Sequence, residues 1–173
     1  MRIPQRTHQI ATRSPLASGL GLLAFLGVTG AVATLGARTA RPGLWYRALR
    51  KPPFTPPDGV FPLVWTALYG LIAVSGWRVW RRRGRLGRGW ALGLWGTQLA
   101  LNGAWSWLFF GRRRARASLA DIGLMLAAIG SYAGAARRID RPAAWMMAPY
   151  LGWTAFAGAL NEEIVRRNPR LTR

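Results

Sequence analysis

Gln98 and Asn102 lie four residues apart in an otherwise apolar stretch, and Trp95, Trp105 and Phe109 share their register. At about 100° per residue these five side chains fall on one helix face. Their chemistry is that of binding: amides donate and accept hydrogen bonds, while indole and phenyl rings offer flat apolar surfaces. Two other stretches repeat the pattern. Trp65, Tyr69, Ile72 and Gly76 form one series; Pro149, Trp153, Ala157 and Leu160 form the other, with Phe156 alongside. Tyr150 adds a phenol beside Pro149, and a proline frees a backbone carbonyl within a helix. Converging aromatics with a few amides and a phenol suit a flat, largely apolar ligand. Interhelical hydrogen bonding and aromatic core packing would give the same spacing, so both readings stand at this point.

Other chemistry is poorly provided for. The chain has no cysteine, one histidine (His8, in the N-terminal tail) and five acidic residues, Asp58, Asp121, Asp140, Glu162 and Glu163. No metal site and no histidine-assisted nucleophile is expected from such a set. No glycine-rich phosphate loop is present. Redox or light-driven chemistry on a bound pigment is the one enzymatic class that the aromatic residues leave open.

The elements that must position these residues are apolar runs separated by arginine clusters. A bilayer-spanning helix needs roughly 20 mostly apolar residues. Five runs meet that length: Pro15 to Ala37, Phe61 to Trp80, Gly89 to Gly111, Ala117 to Ala136 and Pro142 to Val165. They are too long and too unalternating for barrel strands. The expected fold is therefore an all-α integral membrane protein, a five-transmembrane-helix bundle over residues 15–166, crossing the bilayer several times. Basic tails at 1–14 and 167–173 flank it. A basic leader before the first run also fits a cleaved signal peptide, but an apolar part of this length favours a retained helix.

The charge follows the same plan. The formal net charge is +20, from 24 arginines and Lys51, yet mean hydropathy is +0.09 because half the residues are hydrophobic. Such a charge on a soluble face would point to nucleic acid. Here it sits at the ends of apolar runs, so the lipid bilayer is the expected partner and nucleic acid is not. The two sets of connections carry nearly equal numbers of basic residues, so the positive-inside rule leaves the orientation open.

Depth within the bilayer sorts the tryptophans. Trp45, Trp77, Trp80, Trp90, Trp107 and Trp145 lie near run ends, where an interfacial belt places indoles. Trp153 is central in the fifth run, and Trp95 and Trp105 flank the centre of the third. A central indole N–H needs a partner, so these should face protein or a cavity. Gly89, Gly93, Gly96, Ala100 and Gly103 form the opposite face of the third helix, inviting close approach of a neighbouring helix or a second subunit. Gly123, Ala127, Gly130 and Gly134 suggest close packing of the fourth helix as well. Asp121 is expected to pair with a loop arginine such as Arg116, with a proton or ligand site as the alternative. The connection 38–60 is long and rich in proline and aromatics, including Trp45-Tyr46, Lys51-Pro52-Pro53 and Pro56-Pro57. A lid over one mouth of the bundle is the expected role, with a surface linker as the alternative.

These segments together resemble a known family. Trp45-Tyr46-x-x-Leu49-x-Lys51-Pro52, Pro56-Pro57, Val64-Trp65-x-x-Leu68-Tyr69 and Gln98-Leu99-Ala100-Leu101-Asn102-x-x-Trp105 appear in order. Phe109-Phe110-Gly111, Asp121 and Pro149-Tyr150-Leu151-x-Trp153-x-x-Phe156-Ala157-x-x-Leu160-Asn161 follow. The chain is similar to the TspO/MBR family of tryptophan-rich sensory proteins, related to the translocator protein or peripheral benzodiazepine receptor. The resemblance implies a five-helix bundle, often a homodimer, here through the glycine face of the third helix. It implies a pocket under the first loop for porphyrins, haem-related tetrapyrroles and isoquinoline or benzodiazepine drugs. Trp65, Tyr69, Asn102, Trp153 and Ala157 match the positions that line it, with Trp45, Tyr46, Gln98 and Trp105 as further ligand-binding candidates. The porphyrin or haem-like molecule would be a ligand, with no cofactor required. Some relatives are reported to promote light-dependent breakdown of protoporphyrin IX, which makes Trp65 and Trp153 the candidate catalytic residues of an alternative, enzymatic reading. Roles in tetrapyrrole or steroid transport and in stress signalling are also proposed for the family.

Two departures from the family pattern stand out. Asn161 is followed by Glu162-Glu163, where animal relatives carry a tyrosine-containing cholesterol pattern, so cholesterol recognition through that pattern is not expected. Ala117 stands where relatives often have a tryptophan.

Overall fold

The computed structural model describes residues 14–40 and 43–172. The expected N-terminal tail, His8 included, lies outside the described residues except for Ser14.

Helix boundaries follow local chemistry. Helix α1 spans Pro15–Thr39; the Ser14 hydroxyl caps it by accepting from the Ala17 N–H at 3.3 Å, and Pro15 stands where no intrahelical donor is needed. A short helix, α2 (Leu44–Ala48), lies in the long connection. Helix α3 spans Val60–Arg81, and α4 spans Arg88–Ser106. The turn between them has left-handed backbone at Gly84 (φ 74°) and Gly87 (φ 76°), a conformation that glycine adopts without strain. Helix α5 covers Ala115–Arg137, α6 Arg141–Trp145 and α7 Ala148–Arg167.

Two of the expected runs are not single α-helices. The third widens at its end into a π-helical turn, Trp107–Gly111, closed by an Arg112 N–H to Trp107 carbonyl bond of 2.8 Å. The wider turn brings Phe109 and Phe110 round toward α2. The fifth run breaks at Met146–Met147 into α6 and α7. Pro142 and Pro149 each occupy the first turn of their helix, the position a proline tolerates, so two starts replace one continuous helix.

Among the described residues the fold is all-helical. Three of the five long helices, α1, α3 and α5, are long and apolar enough to cross a membrane. Helix α4 is diluted by glycines, Thr97, Gln98 and Asn102, and α7 ends in Glu162, Glu163, Arg166 and Arg167.

Helix α5 packs between α4 and α7, and α1 packs against α3 and α4. The bonded pairs Tyr69–Asn102 and Ile72–Trp95 run in opposite chain directions, as do Ser118–Asn161 and Met125–Tyr150, so both helix pairs are antiparallel. The core holds Leu68, Ile72, Trp95, Ile122, Ile129 and Tyr132. Helix α1 is held by the Trp77 indole N–H donating to the Ser18 carbonyl at 2.8 Å and by an edge contact of Phe25 with Trp95 at 4.8 Å.

The two ends of the bundle differ. At one end Asp140, its side chain 1% exposed, accepts from Arg78 and Arg82 at the end of α3 and from the Ala143 N–H, which caps α6. Burial would push this carboxyl up, but the guanidinium hydrogen bonds and the Ala143 N–H outweigh it and hold Asp140 below the usual carboxylate range. At the other end lie the long connection, the π-helical turn and the C-terminal segment.

Candidate functional site

The site is built where α3, α4, α5 and α7 meet. Asn102 is buried, and its two amide atoms serve two tyrosines. The Tyr69 hydroxyl donates to Asn102 Oδ1 at 2.6 Å, and Asn102 Nδ2 donates to the Tyr150 hydroxyl at 3.2 Å. The Tyr150 hydroxyl in turn donates to Met125 Sδ at 3.2 Å. One polar chain thus joins all four helices through an otherwise apolar interior. An amide is suited to this task because it donates and accepts at once.

Aromatic rings cover this chain. Trp65 packs on Tyr69 (ring centroids 5.4 Å) and edge-on to Tyr150 (6.2 Å). One turn beyond Tyr150 on α7, Trp153 meets Phe61 of α3 at 5.9 Å and Phe156 at 5.4 Å. The connection contributes Phe54, which lies 6.4 Å from Phe156. Trp65, Tyr69, Asn102 and Trp153 are therefore gathered in one place. Ala157 is one helical turn after Trp153 and half-buried.

Trp45 and Tyr46 go elsewhere. They pack with Leu49 on Phe109, Phe110, Ala115 and Ile164, a second apolar cluster at the connection end. Trp45 meets Phe109 edge-on at 5.5 Å, and Tyr46 meets Phe110 at 5.4 Å. The Trp45 indole N–H donates to the Leu171 carbonyl at 3.0 Å, so the C-terminal segment holds this part of the connection. Lys51 lies over the Tyr46 ring at 4.2 Å. Burial, and secondarily the charge of Asp58, raises the Tyr46 phenol above its ordinary value, so it stays a neutral donor. Trp105 bridges the two clusters, stacked on Phe109 at 5.4 Å and 15° and packed against the main core. The part of the connection that reaches Trp153's neighbour is Phe54, and the aromatic pair Trp45-Tyr46 anchors its base.

Gln98 is buried one turn below Asn102, but it does not join the tyrosine chain. Its Nε2 donates to the carbonyl of Trp95 in its own helix at 2.8 Å. Its Oε1 and the buried indole N–H of Trp105 have no hydrogen-bond partner among the described residues. The central indole of Trp95 finds its partner in the Ile72 carbonyl at 2.9 Å. Ile72 and Gly76, in the same register as Trp65 and Tyr69, therefore pack on Trp95 and Phe25 rather than joining the site.

Two residues of the polar chain carried weak signals. Met125 has no recognisable signature, because a methionine at helical spacing reads as core. Tyr150 was marked by its neighbour Pro149, yet it acts through its hydroxyl and not through a freed carbonyl.

The expected Asp121–Arg116 pair is not formed. Arg116 is exposed, Asp121 is buried, and Asp121 Oδ2 has no hydrogen-bond partner among the described residues. The ion pairs among the described residues are instead Asp140 with Arg78 and Arg82, and Glu163 with Arg166 and Arg167. The register explains the difference. Arg116 precedes Asp121 by five residues, and Asp121 shares the α7-facing side with Ser118, whose hydroxyl accepts from Asn161 Nδ2 at 2.9 Å. Of the tryptophans expected at the interface, Trp90, Trp107 and Trp145 are exposed, whereas Trp77 and Trp80 pack against α1. On α4, Gly89, Gly93 and Gly96 face open space, while a side chain at Gly103 would touch Val32 of α1 at 3.6 Å.

Comparison with known proteins matches this sequence to one family. The TspO/MBR family pattern matches residues 20–167. The chain is 39% identical over 146 residues to the tryptophan-rich sensory protein of Cereibacter sphaeroides, covering 84% of this chain and 90% of that protein. It is 37% identical over 126 residues to the translocator protein of Bos taurus, covering 72% and 75%. A tryptophan-rich protein TspO of Chlorobaculum tepidum is 36% identical over 162 residues, covering 89% and 96%. With the family pattern spanning α1 to α7 and three helices apolar enough to cross a bilayer, the chain belongs to the TspO/MBR family of membrane proteins.

Proposed function

We propose that the protein is a five-span membrane receptor or carrier that binds a porphyrin or related tetrapyrrole between Trp65, Tyr69, Asn102, Tyr150 and Trp153. The observation that carries this reading is the buried Asn102, hydrogen-bonded to two tyrosines and roofed by Trp65. Flat rings on either side suit a flat macrocycle, and hydroxyl and amide groups suit its polar edge. Gln98 Oε1 and Trp105 Nε1, on the same face of α4, offer one further acceptor and one further donor. Names of relatives, a sensory protein and a translocator protein, fit a receptor or carrier role.

Entry of so large a ligand requires the connection to move, because Phe54 rests on Phe156. In this reading α4 and α7 also cross the bilayer, their polar groups turned inward. The open glycine face of α4 would then meet lipid or the same face of a second copy.

Titration of detergent-purified protein with protoporphyrin IX, followed by tryptophan quenching, tests the site. Asn102→Ala combined with Trp153→Ala should weaken binding about tenfold or more, given 1–3 kcal/mol for each lost polar or aromatic contact. Unchanged affinity would reject the site. The chain has no cysteine, so single cysteines report topology directly. Arg83→Cys and Arg116→Cys should be labelled by a membrane-impermeant thiol reagent from opposite sides of the membrane.

A further inference from the structure

At the end of the bundle away from the candidate site, the α3–α4 turn and the end of α5 enclose a groove of about 580 Å³. Arg85, Leu86, Trp90, Ala135 and Arg138 line it. Its size falls in the range of small-molecule sites, about 300–1,000 Å³. Its chemistry is divided. Arg85 and Arg138 supply two exposed guanidinium groups from two different segments. Leu86 (97% exposed) and Trp90 (70% exposed) supply an apolar flank.

The charge in this groove is uncompensated. The acidic residue at this end is Asp140, and Arg78 and Arg82 already occupy its carboxylate. Among the described residues neither Arg85 nor Arg138 takes part in an ion pair or donates a side-chain hydrogen bond. The groove is also held open. Gly84 and Gly87 turn the chain in left-handed backbone, and the side chain of Arg88, which follows, is drawn off to the Trp80 carbonyl at 3.0 Å.

We infer that this groove binds the phosphate headgroup of an anionic membrane lipid. Two guanidinium groups can each grip phosphate oxygens in bidentate fashion. Basic pockets between helices at a membrane face are suited to such headgroups. The exposed leucine and tryptophan fix the source of the phosphate. A free anion gains nothing from an apolar flank, whereas the glycerol and upper acyl chain of a lipid would cover Leu86 and lie beside an indole at headgroup depth.

The full chain, purified in mild detergent, is loaded with equal amounts of phosphatidylglycerol and phosphatidylcholine and examined by native mass spectrometry. Wild type should retain phosphatidylglycerol in preference, with one lipid bound most tightly. Arg85→Ala with Arg138→Ala should weaken that tightest binding about tenfold or more, since each arginine near a lipid surface contributes roughly a fivefold factor and the two multiply. Arg112→Ala with Arg113→Ala removes the same charge at the opposite end and should leave it intact. Adding sn-glycerol 3-phosphate should not displace the lipid. Equal retention by the Arg85/Arg138 variant, equal loss in the Arg112/Arg113 variant, or displacement by the soluble phosphate would each overturn the assignment. Both substitution pairs lie on the surface, and thermal unfolding followed by circular dichroism checks that each variant remains folded.

Discussion

The side-chain amide of Asn168 grips the backbone of Arg50 at both ends, its Oδ1 accepting the Arg50 N–H at 2.9 Å and its Nδ2 donating to the Arg50 carbonyl at 3.0 Å. This pairing, with the Trp45–Leu171 bond, makes the C-terminal segment a clasp on the connection that reaches the candidate site. Asn168→Ala removes both bonds. Each is worth about 1 kcal/mol, so local opening of residues 45–52 should become roughly tenfold or more frequent. Hydrogen exchange of amides in that segment reads the change, while protection in α5 should stay as in wild type. Asn168→Asp keeps the acceptor and loses the donor, and should fall between the two.

The second prediction concerns Asn102. Asn102→Ala leaves the hydroxyls of Tyr69 and Tyr150 without their partner in a buried place, at a cost of about 1–3 kcal/mol. Tyr150→Phe removes one hydroxyl together with its bonds to Asn102 and Met125, so it should cost less. Thermal unfolding in detergent ranks the two. If the hydroxyl–amide chain acts as one unit, the double variant should lose less than the sum of the single losses.

The third prediction uses Asp140. Its folded-state carboxyl is held below the ordinary range by Arg78, Arg82 and the Ala143 N–H, so the ionised form is the one that stabilises. The contribution is fully present above the unfolded value of about 4 and is lost as pH falls below it. Asp140→Asn keeps an acceptor for the Ala143 N–H and removes the charge. At pH 7 it should lower stability by roughly 1–3 kcal/mol, between the surface and buried limits for ion pairs, because both arginines are partly exposed. Wild type and variant should converge as pH falls through the acid range, as thermal unfolding at several pH values would read.

Much of this was legible in the sequence because hydrophobic length and helical register are both one-dimensional properties. The arginine-bounded runs gave the long helices to within a few residues, and the register of Trp65, Tyr69, Asn102 and Trp153 brought them to one place. The breaks at Met146–Met147 and Trp107–Gly111 were harder to see. Run length alone cannot tell a proline inside a helix from one that starts a new helix, and a π-helical turn leaves the hydrophobic pattern unbroken. Trp45 and Tyr46 occur in the same motif block as the lid. Their neighbours include Phe109 and Leu171, which are distant in sequence, and spacing does not encode such contacts. Asp121 shows a related effect: Arg116 is near it along the chain, but helical rotation turns the carboxylate inward and leaves the guanidinium exposed.

The last prediction turns on Gly76. A Cβ built there would lie 2.6 Å from Trp95 Nε1 and 2.7 Å from Phe25, closer than side-chain carbons approach. The indole of Trp95 cannot simply retreat, because its N–H donates to the Ile72 carbonyl one turn earlier in α3 and its other side is packed in the core. Gly76→Ala should therefore break that bond or separate α1 from α3, costing about 1–3 kcal/mol from overpacking alone. Alanine favours a helix over glycine by up to about 1 kcal/mol, which offsets part of this. Gly70→Ala, in the same helix but facing open space, supplies the comparison. There only the propensity gain remains, so its unfolding temperature should equal or exceed that of wild type while Gly76→Ala falls below it. If the two variants melted together, the close approach of α1, α3 and Trp95 at Gly76 would not be a determinant of this fold.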